Sequence, residues 1–265
     1  MRQNSSNNPI FQLILLLVAT VMIVLGIIVF IPFVKKKSNT QVTAQGRTYV
    51  SQLEQKDIST VDAELRKRTM MTNTDGMGLW EKLNYYDTYI MGDSRCEVFL
   101  WCGLQTEHVF AEKSTTIKYI AERIDDIRGS QPGNLVLSFG MNDLGMYVYD
   151  PDNYWETALD YVEAFDGYIQ MIKEASPDTR IYINSIIPVQ PQAIEMQYRW
   201  ALVDEWNAAL EKYCSGTDVT YIDTAFIAYD YADLFDDDGI HFYADSAIRS
   251  WGEAILDAVE QNMYQ

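Results

Sequence analysis

Four residues in three separate stretches of this 265-residue chain have types and spacings suited to acyl transfer. The first, Ser94, ends the hydrophobic run Tyr89-Ile90-Met91 at Gly92-Asp93-Ser94. Gly-Asp-Ser is common turn chemistry, so alone it reads either as a helix cap or as a nucleophile displayed on a turn. The second stretch, Phe139-Gly140-Met141-Asn142-Asp143, follows another apolar run. Gly140 permits close backbone approach, and the Asn142 amide can donate to a developing oxyanion, although both residues also favour turns. The third stretch holds Asp238 three residues before His241, one of only two histidines. A carboxylate at that spacing can reach Nδ1 and leave Nε2 free to take a proton. Two readings compete for this stretch: a solvated acidic loop, or a calcium loop with Asp236, Asp238 and Gly239 in its third, fifth and sixth places. The calcium loop would begin at Leu234, which cannot ligate. A nucleophile, an oxyanion donor and an oriented base are the parts of an acyl-transfer site, and their joint occurrence favours Ser94 as the nucleophile. The other histidine, His108, stands beside Val109 in an apolar run and reads as structural.

Such residues need elements to bring them together. Short apolar runs at 88–91, 108–111, 135–139, 180–187 and 219–222 read as strands. Between and after them, helical spacing is predicted over 114–128, 153–175, 193–214 and 244–263. Continuous apolar strands alternating with helices imply a parallel α/β sheet covered on both faces. Ser94, Gly140 and Asn142 then fall at the carboxyl edge, where such sheets bind ligands.

Residues 10–34 carry no charged side chain and would span about 37 Å as a helix, enough to cross a bilayer. Lys35-Lys36-Lys37 follows where a signal peptide would show a small-residue cleavage site, so an uncleaved transmembrane anchor is expected at 1–37. The lysines favour a cytoplasmic body, weakly once Arg2 and the amino terminus are counted. Residues 38–84 read as a linker or stalk, with Ser59 and Asp62 opening a short helix as a capping box. Residues 85–265 read as the body. The chain has 38 acidic and 20 basic residues, a net charge of −18, which argues against nucleic acid as a partner. Cys96, Cys102 and Cys214 lack metal-ligand spacing and are an odd number, so reduced thiols are expected, with neither a disulfide framework nor a metal site.

Gly92-Asp93-Ser94, Gly140-Met141-Asn142-Asp143 and Asp238-Gly239-Ile240-His241 together resemble the first, third and fifth blocks of the SGNH (GDSL-type) hydrolase superfamily. The resemblance runs from about residue 85 to the C-terminus. It implies a flavodoxin-like three-layer α/β/α sandwich with a five-stranded parallel sheet. It also implies Ser94 as nucleophile, His241 as base and Asp238 as its orienter. The oxyanion hole would comprise the Ser94 N–H, the Asn142 amide, Gly140 and an N–H from the second block. That block departs from the pattern: the family usually has a glycine after the second strand, and Val109 to Ile127 contains none, leaving Lys113 or Ser114 as the donor. Arg95 stands where many members carry an apolar residue; it reads either as a contact for an anionic or polyhydroxy substrate or as a surface residue. Tyr147, Tyr149, Tyr154 and Trp155 read equally as sugar-stacking or as packing residues.

The expected function is that of a membrane-anchored serine esterase, without cofactor, acting on a small-molecule or carbohydrate O-acyl ester outside the cytoplasm. O-acetyl groups of envelope carbohydrate are the expected target. Two alternatives stand beside it: an O-acyltransferase using the same residues, and a non-catalytic envelope module that kept the fold.

Overall fold

The structure is a computed structural model that describes residue 74, residues 76–145 and residues 155–263. The chain divides into two units, Met1–Asn73 and Thr74–Gln265. The anchor and short helix expected before residue 74 lie outside the described residues, as do Tyr147, Tyr149 and Tyr154. Among the described residues no helix is long and apolar enough to cross a membrane.

In chain order the second unit contains α1 (Leu79–Tyr85), β1 (Thr88–Gly92), β2 (Val109–Ala111), α2 (Tyr119–Glu122), α3 (Ile124–Ser130) and β3 (Asn134–Ser138). It continues with α4 (Met141–Gly145), α5 (Ala158–Ala175), β4 (Arg180–Asn184), α6 (Pro191–Met196), α7 (Val203–Ser215), β5 (Thr220–Ile222), α8 (Ile227–Asp230) and α9 (Asp245–Asn262). The five strands form one parallel sheet in the order β2-β1-β3-β4-β5, the order of flavodoxin-like folds.

Strand side chains alternate between two cores. Tyr89, Met91, Leu135, Leu137, Ile181 and Ile183 pack with α2, α3, α5 and α7 on one face. Ile90, Val136, Tyr182 and Ile222 pack with α1, α8 and α9 on the other. Burial on both faces explains why the strands read as continuous apolar runs.

Three helical expectations change. The helix expected over 114–128 is two short helices, because Ser114 takes a left-handed φ of 62° and Arg123 (φ −106°, ψ 10°) interrupts the turn pattern. The helix expected over 193–214 breaks at Gln197, which is extended (φ −141°, ψ 96°) and whose side chain accepts from the Arg199 N–H. A 3₁₀ turn, Tyr198–Leu202, then leads into α7. Helix α1, which falls in the expected stalk, packs on α9: Trp80 lies against Gly252, and Lys82 pairs with Glu260 at 3.3 Å.

Candidate active site

The chain runs from β1 to β2 on one side of β1 and returns to β3 on the other. The carboxyl ends of β1 and β3 therefore flank a topological switch point, where α/β sheets bind ligands. Register pairs Gly92 with Ser138, so the loops after both strands leave side by side. There is no room for a side chain at Gly92: a Cβ would meet Cys96 Sγ at 2.4 Å and the Ser138 carbonyl at 2.5 Å. Asp93 then caps a 3₁₀ helix, Ser94–Trp101, by accepting the Arg95 N–H at 3.0 Å. Ser94 is both the first residue of that helix and a half-buried hydroxyl at the strand end.

Ser94 Oγ lies 2.9 Å from His241 Nε2, across 147 positions of sequence. His241 Nδ1 lies 2.6 Å from Asp238 Oδ2. The other oxygen, Asp238 Oδ1, accepts the N–H groups of Ile240 at 2.7 Å and His241 at 3.0 Å. Partial burial pushes the Asp238 carboxyl up, but the hydrogen bonds from His241 and Ile240 outweigh it and hold the group below its ordinary range. The His241 turn is pinned on several sides. An antiparallel bridge joins Phe235 to Phe242, and Phe242 packs on Trp251 of α9 at 5.8 Å between ring centroids. Gly239 accepts the Gln190 N–H at 2.7 Å.

Arg95, expected either at the substrate or on the surface, is buried. Its Nε donates to the Ile240 carbonyl at 3.0 Å and its Nη1 donates to the Ile187 carbonyl. It ties the Ser94–Trp101 helix to the histidine turn and to the loop after β4. Desolvation lowers its pKa to about 10, opposed by Asp93, Cys96 and Asp238, so it stays charged at neutral pH.

The loop after β3 carries Asn142, whose Nδ2 donates to the Thr115 carbonyl at 2.8 Å. That bond fixes the amide plane and uses one of its two N–H groups. Gly140 differs from its expected role. Its N–H donates to Asp143 Oδ2 at 3.1 Å, so it is engaged within the loop. Gly140 has φ +120°, and a Cβ there would meet Ile186 Cδ1 at 2.4 Å, so glycine is required by both conformation and space.

Sequence reasoning overlooked Asp143. It is fully buried, and its Oδ1 accepts the Ile117 N–H at 3.2 Å and the Trp155 indole N–H at 3.3 Å. With Gly140 on Oδ2, one carboxylate gathers the loops after β2 and β3 and the approach to α5. Burial raises its pKa to about 7 against those hydrogen bonds. The only signal in the sequence was an acid directly after Asn142. Trp155 is thereby a packing residue, its backbone carbonyl also accepting Arg199 Nη2 at 2.6 Å. In the second block, where a glycine is usual, Ser114 adopts the left-handed conformation that glycine would supply. Cys96, Cys102 and Cys214 are free thiols, the first and last buried. Among the described residues no group of three or more His, Cys, Asp or Glu side chains gathers to hold a metal ion.

The profile of the GDSL-like lipase/acylhydrolase family matches residues 96–245. A search of curated proteins found no match. Among solved structures, a GDSL-like lipase candidate from Parabacteroides merdae superposes with a TM-score of 0.53 at 15% identity, over 66% of this chain and 96% of its own. A GDSL-like lipase from Bacteroides thetaiotaomicron gives 0.50 at 16% identity, over 68% and 90%. A carbohydrate esterase of family 3 from Talaromyces cellulolyticus gives 0.50 at 15% identity, over 67% and 97%. These likenesses show the shared fold, and the family match covers more than half of the chain. The chain belongs to the GDSL-like lipase/acylhydrolase family and is a serine ester hydrolase.

Proposed function

We propose that this chain hydrolyses O-acyl esters of carbohydrate, O-acetyl groups foremost, with Ser94 as nucleophile. The observation that carries the reading is the unbroken contact from Ser94 Oγ through His241 to Asp238, at 2.9 and 2.6 Å. Ser94 Oγ attacks the ester carbonyl while His241 Nε2 takes its proton. Asp238 holds the ring orientation and stabilises the imidazolium. The tetrahedral oxyanion is held by the Ser94 N–H and the second N–H of Asn142, with a further N–H from the turn around Ser114. His241 then protonates the departing alkoxide, and water repeats the cycle on the acyl-serine. The carbohydrate preference takes support from the carbohydrate esterase that shares the fold.

Full-length chain in detergent should hydrolyse 4-nitrophenyl acetate and O-acetylated oligosaccharides, and should bind a fluorophosphonate probe. Ser94→Ala should abolish both activities while leaving the fold intact; more than a tenth of the wild-type rate would sink the serine mechanism. The reading also places residues 10–34 in a membrane, with the body outside the cytoplasm, where acylated envelope glycans are found.

A further inference from the structure

A cavity of about 410 Å³ lies between the loop after β4, the start of α7 and α8. Its volume falls in the range of small-molecule sites, about 300–1,000 Å³. Two hydrogen bonds join its walls to the two arms of the catalytic site. The Trp200 indole N–H donates to the Met141 carbonyl at 3.0 Å, beside Asn142. The Gln190 N–H donates to the Gly239 carbonyl at 2.7 Å, inside the Asp238–His241 turn. The Trp200 ring is also wedged against Gly145, where a Cβ would come within 2.7 Å of the indole nitrogen.

The lining gives the chemistry of an occupant. Most of it is proline, valine, isoleucine and alanine, with the rings of Trp200 and Tyr229. Among the described residues the single charged side chain of the lining is Asp204 and no cation lines it, so among them phosphate and carboxylate groups have no partner there. Tyr229 is 65% exposed, so its ring is open to a ligand from solvent. A pyranose has apolar C–H faces that suit aromatic rings, and hydroxyls that donate to a carboxylate. An acyl chain would fill the apolar part but make no use of Asp204, which is exposed and hydrated when the cavity is empty.

We propose that this cavity is a subsite for a neutral pyranose ring of the substrate, adjoining the sugar whose ester Ser94 attacks. The proposal rests on the carbohydrate reading above and adds where the glycan is recognised. Tyr229 and Asp204 are its specificity residues; neither belongs to the catalytic contacts.

The test compares full-length wild type, Tyr229→Ala and Asp204→Asn on three kinds of ester: 4-nitrophenyl acetate, 4-nitrophenyl octanoate, and a set of O-acetylated cellobiose, xylobiose and chitobiose. The aryl acetate carries no pyranose and serves as the control for the catalytic contacts alone. For at least one disaccharide, KM should rise tenfold or more in both variants, with kcat within threefold and both aryl esters within threefold. Unchanged KM for every disaccharide that wild type cleaves would overturn the subsite alone. A tenfold loss confined to the octanoate would overturn it in favour of an acyl-chain pocket. Wild-type cleavage of the aryl acetate with no disaccharide cleaved would overturn the carbohydrate reading, and the subsite with it.

Discussion

Replacing Asp143 with asparagine changes one charge and one contact. Oδ1 can still accept from Ile117 and Trp155, but an NH₂ group now faces the Gly140 N–H that Oδ2 accepted at 3.1 Å. Turning the amide over makes matters worse, since two donors would then face it. One buried N–H loses its partner, a cost of about 1–3 kcal/mol. Against this, raising the Asp143 carboxyl from 3.8 to about 7 reflects a cost to the charged form on the order of 4 kcal/mol, which the variant does not bear. The two effects oppose each other at pH 8, and their difference leaves the variant more stable there by about 1–3 kcal/mol. Activity should not escape: Gly140 and Asn142 stand in the loop that Asp143 gathers, so relief of the donor clash should displace Asn142, two residues on. Complete loss of an oxyanion donor costs about 10²–10³ in rate, and a displaced one should cost on the order of 10- to 100-fold in kcat with KM within threefold. The sign of the pH effect on stability follows from linkage. Between 3.8 and 7 folded wild type binds more protons than the unfolded chain, so its stability falls as pH rises through that window. Asp143→Asn lacks this slope, so the variant should compare least favourably with wild type near pH 5. The assays are kcat and KM on 4-nitrophenyl acetate at pH 8 and thermal melts from pH 5 to 8. Activity within twofold of wild type would refute the claim that Asp143 holds the oxyanion loop.

Among the three adjacent aspartates, only Asp238 contacts His241 through its side chain. Asp238→Asn should lower kcat/KM by about 10²–10³, while Asp236→Asn and Asp237→Asn stay within about threefold; a larger loss at Asp237 would break the assigned pairing. Ser114→Gly should raise thermal stability by about 1 kcal/mol, because a non-glycine residue pays roughly that much to hold a left-handed φ. A lower melting temperature for Ser114→Gly would show that its side chain matters more than its backbone. Protease added to intact cells should cut residues 38–46 and release the body; protection until lysis would reverse the proposed topology.

The strands were legible because the central ones are buried on both faces, as Leu135 to Leu137 show. The serine, the asparagine and the Asp-His pair were legible because their chemistry is local to short loops. What escaped depends on distant backbone. Arg95 looked free to meet a substrate, but its partners are the carbonyls of Ile187 and Ile240, and a carbonyl leaves no mark in sequence. The spacing over 193–214 suited one helix, yet Trp200 leaves that line to dock on the Met141 carbonyl, and the chain breaks at Gln197 to allow it. Gly140 was rightly a close-approach residue, but a buried acid three residues on had already claimed its N–H.

Ser94 and His241 stand 147 positions apart in the chain. During synthesis the nucleophile leaves the ribosome long before its base. The histidine turn is held through Phe242, which packs on Trp251 of α9. On the proposed mechanism, a chain that has not yet reached residue 241 carries a serine without its base. Such a fragment should be silent toward esters in the cell that makes it.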